Sequence, residues 1–181
     1  MSDTQTIQAA GQDLIRRVAA VMEQVDWASF LELADMLPRV RQTFVTGAGR
    51  SGLVARSFGM RLMHAGLKAF IPGETITTPI GPSDLLVGIS CTGRTGSTDY
   101  FAQRAKQFGA KVVVLTADPD SPLARRADKL VHIPAHDPDI VLRAAVFEHA
   151  TSMSLDAVFN VLSASLKIDQ AAFQRRHANL E

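Results

Sequence analysis

The stretch Leu85-Leu86-Val87-Gly88-Ile89-Ser90-Cys91-Thr92-Gly93-Arg94-Thr95 decides how this chain folds. Its apolar first half reads as a buried strand, and it runs straight into hydroxyl and glycine positions. A helical segment follows from Gly96. Hydroxyls and free backbone N–H groups that converge on a helix N-terminus form a cradle for an anion, because the partial positive charge there favours one. An ordinary strand–turn–helix junction with Ser or Thr as N-cap has the same pattern. A second loop separates the two readings.

That second loop, Gly47-Ala48-Gly49-Arg50-Ser51-Gly52, follows the short β-prone run Thr43-Phe44-Val45-Thr46. A helix is expected over 54–65 after it. Further strands are expected at 69–71, 111–115 and 130–133, with helices over 97–108 and 122–127. Alternating strands and helices predict an α/β fold: a three-layer αβα sandwich around a five-stranded parallel sheet, flavodoxin-like in plan. Connections in such sheets are right-handed, and ligands gather beyond the C-terminal strand ends. Both glycine-containing loops follow strands, so both are expected to open onto one edge and to share one phosphate-sized ligand.

Outside this centre the chain reads as helical. Ile7, Leu14, Ile15, Val18, Val21, Met22 and Val25 recur near helical spacing, and a second helix is expected to stop before Pro38. The run from Val141 to Leu166 is apolar almost all round, which predicts burial. Cover by the N-terminal helix together with another subunit makes a homo-oligomer the expected state. One domain over 1–181 is expected, with N-terminal helices 4–37 and C-terminal helices 142–178 packing in the oligomer.

Composition narrows the partners. The chain has 181 residues, 46% hydrophobic and 20% charged, with a formal net charge of +1. That balance points to neither nucleic acid nor a membrane surface. Cys91 is the single cysteine, so no intramolecular disulfide or cysteine-built zinc site can form. No apolar run approaches the roughly 20 residues of a membrane span. The polar start Met1-Ser2-Asp3-Thr4-Gln5-Thr6 does not read as a signal peptide, so a cytoplasmic location is expected.

Three function classes fit these loops. Gly47 to Gly52 matches G-x-G-x-x-G, and Glu74 lies where a ribose-binding acid would, as in a dinucleotide oxidoreductase. A fingerprint of that kind needs no second hydroxyl-rich loop, and the chain leaves no room for a separate substrate domain. A non-catalytic phosphosugar-binding domain would need only the cradle, whereas an enzyme needs an acid–base group beside it. Glu148 stands out as a carboxylate in an apolar helical run, with Thr151 and Ser152 three and four residues on. A helix-surface glutamate fits the same pattern. Among five histidines, His64 ends a helix and His177 lies in the C-terminal tail; the spacing of His132, His136 and His149 suggests no metal cluster.

Several segments together resemble the sugar isomerase (SIS) family of phosphosugar-binding domains. They are Thr46-Gly47-Ala48-Gly49-Arg50-Ser51-Gly52, Met60-Arg61-Leu62-Met63-His64-Ala65-Gly66, Gly73-Glu74, Thr77-Thr78-Pro79, Asp84-Leu85-Leu86, Ser90 to Thr95, and the closing Arg176-His177-Ala178-Asn179-Leu180-Glu181. The likeness covers nearly the whole chain. It is strongest to the branch that interconverts D-arabino-3-hexulose 6-phosphate and D-fructose 6-phosphate. It implies an SIS-type fold, usually a tetramer, and a reaction through a cis-enediol in the ribulose monophosphate pathway. There the reaction follows 3-hexulose-6-phosphate synthase, and it needs neither metal nor redox cofactor. The resemblance makes Ser51, Ser90, Thr92 and Thr95 the phosphate holders, with Gly93 and Arg94 shaping the loop. Gly49, Arg50 and Glu74 complete the substrate-binding set. Glu148 is the implied base, with His64 or His177 at the sugar oxygens and Arg50 as a further cation there. The chain departs from the family where Arg143-Ala144-Ala145-Val146, in place of a loop containing Gly, Ser or Thr, precedes Phe147-Glu148.

Overall fold

Strand β3 (Leu85–Ile89) is the centre of the sheet in the computed structural model, which describes residues 3–180. It pairs in parallel with β1 (Thr43–Thr46) on one side and β4 (Lys111–Thr116) on the other. Strands β2 (Ala69–Phe70) and β5 (Lys129–His132) close the edges, giving the all-parallel order β2-β1-β3-β4-β5. Every residue of β1 and β3 is buried, as strands covered on both faces must be.

Strand alternation divides the interior in two. Val45, Leu85, Val87, Ile89, Val113 and Leu115 join one core, while Phe44, Leu86, Val112 and Val114 join the other. The larger core is covered by α1 (Asp3–Gln24), α2 (Trp27–Met36), α3 (Gly49–His64) and α5 (Ile140–Ser165). The smaller lies under α4 (Gly96–Gln107). This is the three-layer α/β sandwich expected from the sequence.

The differences are local. Helix α3 starts at Gly49, so most of the stretch read as a loop over 47–52 is its first turn. The helix expected over 122–127 is one 3-10 turn, Ala124–Arg126, because only a few residues separate Pro122 from β5. Ile7 and Ile15, counted with the apolar stripe of α1, are exposed, whereas Val18, Val21 and Val25 are buried. Helix α5 is covered mainly within the chain. Val146, Phe147, Leu155, Val158 and Leu162 are buried, while Met153 and Val161 face outward. Asp139 caps its N-terminus, accepting from the N–H groups of Val141 and Leu142 at 2.8 and 3.2 Å.

A short helix, α6 (Gln170–Arg175), returns the chain to the C-terminal end of α3. The rings of Phe173 and His177 lie 4.7 and 4.2 Å from that of His64, and Arg176 donates to the His64 carbonyl at 2.9 Å. At the opposite end of the sheet from the C-terminal strand ends, the buried Asp84 accepts from Arg41 Nε and Nη2, Gln42 Nε2 and the Gly81 N–H, at 2.7–3.2 Å.

Two stability predictions follow from these contacts. Asp84→Ala removes the acceptor that four donors share, leaving Arg41 Nη2 and Gln42 Nε2 only the Pro79 carbonyl, and is expected to cost about 3 kcal/mol in urea unfolding. A loss below about 0.5 kcal/mol would refute the anchoring role. Burial, then the neighbouring His177 and Arg61, hold the His64 pKa below its ordinary value. The folded state therefore disfavours charged His64, so its contribution is whole above about pH 6.5 and declines as pH falls below that. Wild-type stability is expected to drop from pH 7.5 to 5.5 more steeply than that of His64→Gln; parallel profiles would contradict this.

Candidate active site

The order of the sheet reverses between β1 and β3. The chain leaves β1 to form α3 on one face and leaves β3 to form α4 on the other, so both helix starts flank one crevice. Neither start is closed by a side chain. Ala48 precedes α3 and has nothing to cap with. Thr95 occupies the N-cap position of α4 but makes no capping bond; its Oγ1 instead shares a 3.0 Å hydrogen bond with Ser90 Oγ. The plain N-cap reading of this loop therefore fails, and two helix dipoles present their positive ends side by side.

The 90–95 loop is held in shape from within. Gly93 donates its N–H to Ser90 Oγ at 3.1 Å, and Arg94 donates its own to Thr92 Oγ1 at 3.3 Å. Gly93 has φ +60, and a Cβ there would overlap the Ser121 side chain, so only glycine fits. The Arg94 guanidinium turns away to Asp118 at 2.9 Å, which leaves the loop its backbone and hydroxyls. On the β1 side, a Cβ on Gly47 would come within 2.7 Å of the Ser51 carbonyl oxygen, and one on Gly52 within 2.9 Å of the Gly47 oxygen. These two glycines let the backbone cross itself at the start of α3, which accounts for them without a dinucleotide.

Glu148 is 7% exposed on α5, and Arg50, in the first turn of α3, donates Nε to its Oε2. Helices α3 and α5 run side by side in the same direction, with Arg61 pairing Asp156 at 3.0 Å further along. In place of an isolated buried carboxylate the crevice holds an ion pair, so Arg50 positions the glutamate. Thr151, three residues after Glu148, is fully buried.

Cys91 connects cradle and carboxylate. Burial pushes its thiol pKa up, the Arg143 guanidinium pulls it down, and the Glu148 charge raises it further. The thiol thus feels both charges. Arg143 is the neighbour that reasoning from the sequence did not assign a role. The available signal was its place five residues before Glu148 on the same helix, inside the segment that departs from the family pattern.

Other sequence candidates lie apart. Glu74 is exposed and pairs with Arg56 at 2.7 Å. His64 closes α3 fourteen residues after Arg50, which places it about 21 Å along the helix axis. His177 stacks on His64 and stays with it. One chain therefore gathers Gly49, Arg50, Ser51, Ser90, Thr92, Gly93, Thr95 and Glu148 at the crevice and keeps both histidines at the far end of α3. Among the described residues no group of His, Cys, Asp and Glu could hold a metal ion, and no helix is long and apolar enough to cross a membrane.

Comparison with known proteins identifies the family. Two relatives are the 3-hexulose-6-phosphate isomerases of Mycobacterium gastri and Bacillus subtilis. The first is 36% identical, covering 97% of this chain and 95% of the relative. The second is 37% identical, covering 83% and 85%. A solved Methanococcus jannaschii structure, reported as inferring 3-hexulose-6-phosphate isomerase function, superposes with a TM-score of 0.87 at 27% identity, covering 95% of this chain and 99% of that one. The SIS domain model matches residues 36–161, which span both loops, all five strands and Glu148. This chain belongs to the SIS domain family.

Proposed function

We propose that this protein is an isomerase that interconverts D-arabino-3-hexulose 6-phosphate and D-fructose 6-phosphate. The observation that carries the reading is a buried carboxylate, Glu148, held by Arg50 beside a hydroxyl-lined cradle with two open helix N-termini. The named isomerases among its relatives support the choice of sugar. Ser51, Ser90, Thr92 and Thr95 hold the phosphate, with Gly49 and the backbone at Gly93 completing the cradle. Binding energy from the phosphate fixes the reacting carbons over Glu148, which carries the proton between C2 and C3 through a cis-enediol. General-base catalysis of this type contributes roughly 10²–10⁴-fold, and no cofactor is needed.

The reading extends to assembly. A groove of about 630 Å³ between α1 and α5, lined by Leu14, Ile15, Met22, Trp27 and Met153, presents an apolar face suited to a second copy of the chain. A homotetramer follows the family pattern. If His64 or His177 serves the sugar oxygens, it reaches them from a neighbouring copy, since within one chain neither comes near Glu148. We place the protein in the cytoplasm and in the ribulose monophosphate pathway, after the synthase that makes the hexulose phosphate.

Incubation with fructose 6-phosphate in D₂O, followed by NMR, tests the chemistry. Deuterium is expected at C3 of the recovered sugar. Incorporation at C1 indicates an aldose–ketose isomerase, and no exchange at all indicates a binding domain. Glu148→Gln keeps an oxygen for Arg50 but no base, and is expected to lower turnover at least about 10²-fold with binding retained; near-normal turnover would remove Glu148 from the role. Ser90→Ala is expected to raise KM about 10- to 100-fold, the scale of one hydrogen bond to a charged group. An unchanged KM would mean the phosphate lies elsewhere.

A further inference from the structure

The C-terminal segment is fastened to the end of α3 by a small set of side chains. No residue of α6 is buried, so packing of the helix itself does little to hold it. Phe173 sets its ring 4.7 Å from His64 and 6.1 Å from Phe159, and His177 stacks on His64 at 4.2 Å. Arg176 donates to the His64 carbonyl at 2.9 Å and lies across Gly66, where a Cβ would come within 2.8 Å of its guanidinium. Phe173, Arg176 and His177 thus all meet one residue, His64.

That imidazole is badly placed to carry a charge. His64 is 2% exposed, and its Nδ1 is buried with no hydrogen-bond partner among the described residues. A neutral ring can leave this nitrogen as a bare acceptor. An imidazolium has an N–H at both nitrogens and would bury a donor without an acceptor. The ring stacked on it is a second imidazole, His177. Charged groups on the elements that meet here are Arg61 on α3, Asp156 on α5, and Lys167, Asp169, Arg175 and Arg176 around α6. The two acids are committed elsewhere: Asp156 pairs with Arg61 at 3.0 Å, and Asp169 caps α6 by accepting from the Ala172 N–H. Burial, His177 and Arg61 all oppose protonation of His64. Phe173 and His177 cover its ring, so only their departure would give a charged His64 to water.

We propose that residues 170–177 form a pH-operated clasp, closed on the end of α3 while His64 is neutral and released when His64 takes up a proton. The closed form disfavours the imidazolium and the open form hydrates it, so acid moves the balance toward the open form. Closure is fully supported above about pH 6.5, the ordinary imidazole range. Below that, each pH unit favours opening by up to about tenfold, until the closed form is protonated as well. Release leaves the sheet and the crevice in place, because His64 and Arg50 lie at opposite ends of α3.

Amide hydrogen exchange of the full chain at pH 7.5 and 5.5 tests the clasp, with rates expressed as protection factors so that the intrinsic pH dependence of exchange cancels. The reporters are the amides of Phe173, Arg176 and His177, which donate to the Asp169, Phe173 and Gln174 carbonyls at 3.0–3.1 Å. Their protection is expected to fall about fivefold or more from pH 7.5 to 5.5. The amides of β3 should stay at least about 100-fold better protected at both values. Unchanged protection of the reporters overturns the clasp, and so does exchange of the reporters and β3 at one rate, which marks global unfolding. In His64→Gln, which cannot take the charge, reporter protection is expected to stay within about twofold across the two pH values; a fall like that of the wild type removes His64 from the role. Phe173→Ala gives a second route that leaves the imidazole in place. By NMR titration its His64 ring is expected to titrate near the ordinary value of about 6.5, and that of the wild type below it. Equal midpoints in the two proteins would show that the segment does not control His64, and the proposal would fall.

Discussion

The reversal of strand order between β1 and β3 is the constraint on which the rest of the site depends. Because parallel crossovers are right-handed, a chain that continues to β2 on one side and to β4 on the other must send α3 and α4 to opposite faces. Their N-termini then cannot cover each other and must leave a crevice between them. Everything else in the site is placed by reference to it: the Ser90–Thr95 hydrogen bond lines its floor, Gly93 lets the loop turn under Ser121, and Gly47 and Gly52 let α3 start close to the strand end.

A crevice between two helix ends favours anions, but burial still makes a carboxylate beside it expensive unless it is paired. The Arg50–Glu148 pair resolves that conflict. Arg50 sits in the first turn of α3, so the segment that opens one helix end onto the crevice also positions the glutamate. Buried pairs contribute little net stability compared with apolar packing, and their common benefit is a defined geometry. Here the geometry fixes a glutamate at 7% exposure on the wall of the crevice.

Much of the fold was legible in the chain. The runs at 85–89 and 111–115 have the length and apolarity of doubly covered strands, and both lie where the strands form. Helix limits were less legible. Glycines at 47, 49 and 52 read as a loop, yet two of them serve a close backbone approach at a helix start. Burial of α5 was visible from its composition, but its covering was not. Helices α1, α2 and α3 supply most of it, since they pack on the same sheet face.

By itself the sequence determined the α/β alternation, the two loops at one sheet edge and the oddity of Glu148 in an apolar helix. All three are local properties: strand length, turn chemistry and helical periodicity are written in neighbouring residues. Only the tertiary structure decided which charges meet. Arg50 and Glu148 are 98 positions apart, and His64 is carried away from Arg50 by the full length of α3. Distances of this kind come from helix rise and sheet order acting together, and no local pattern encodes them.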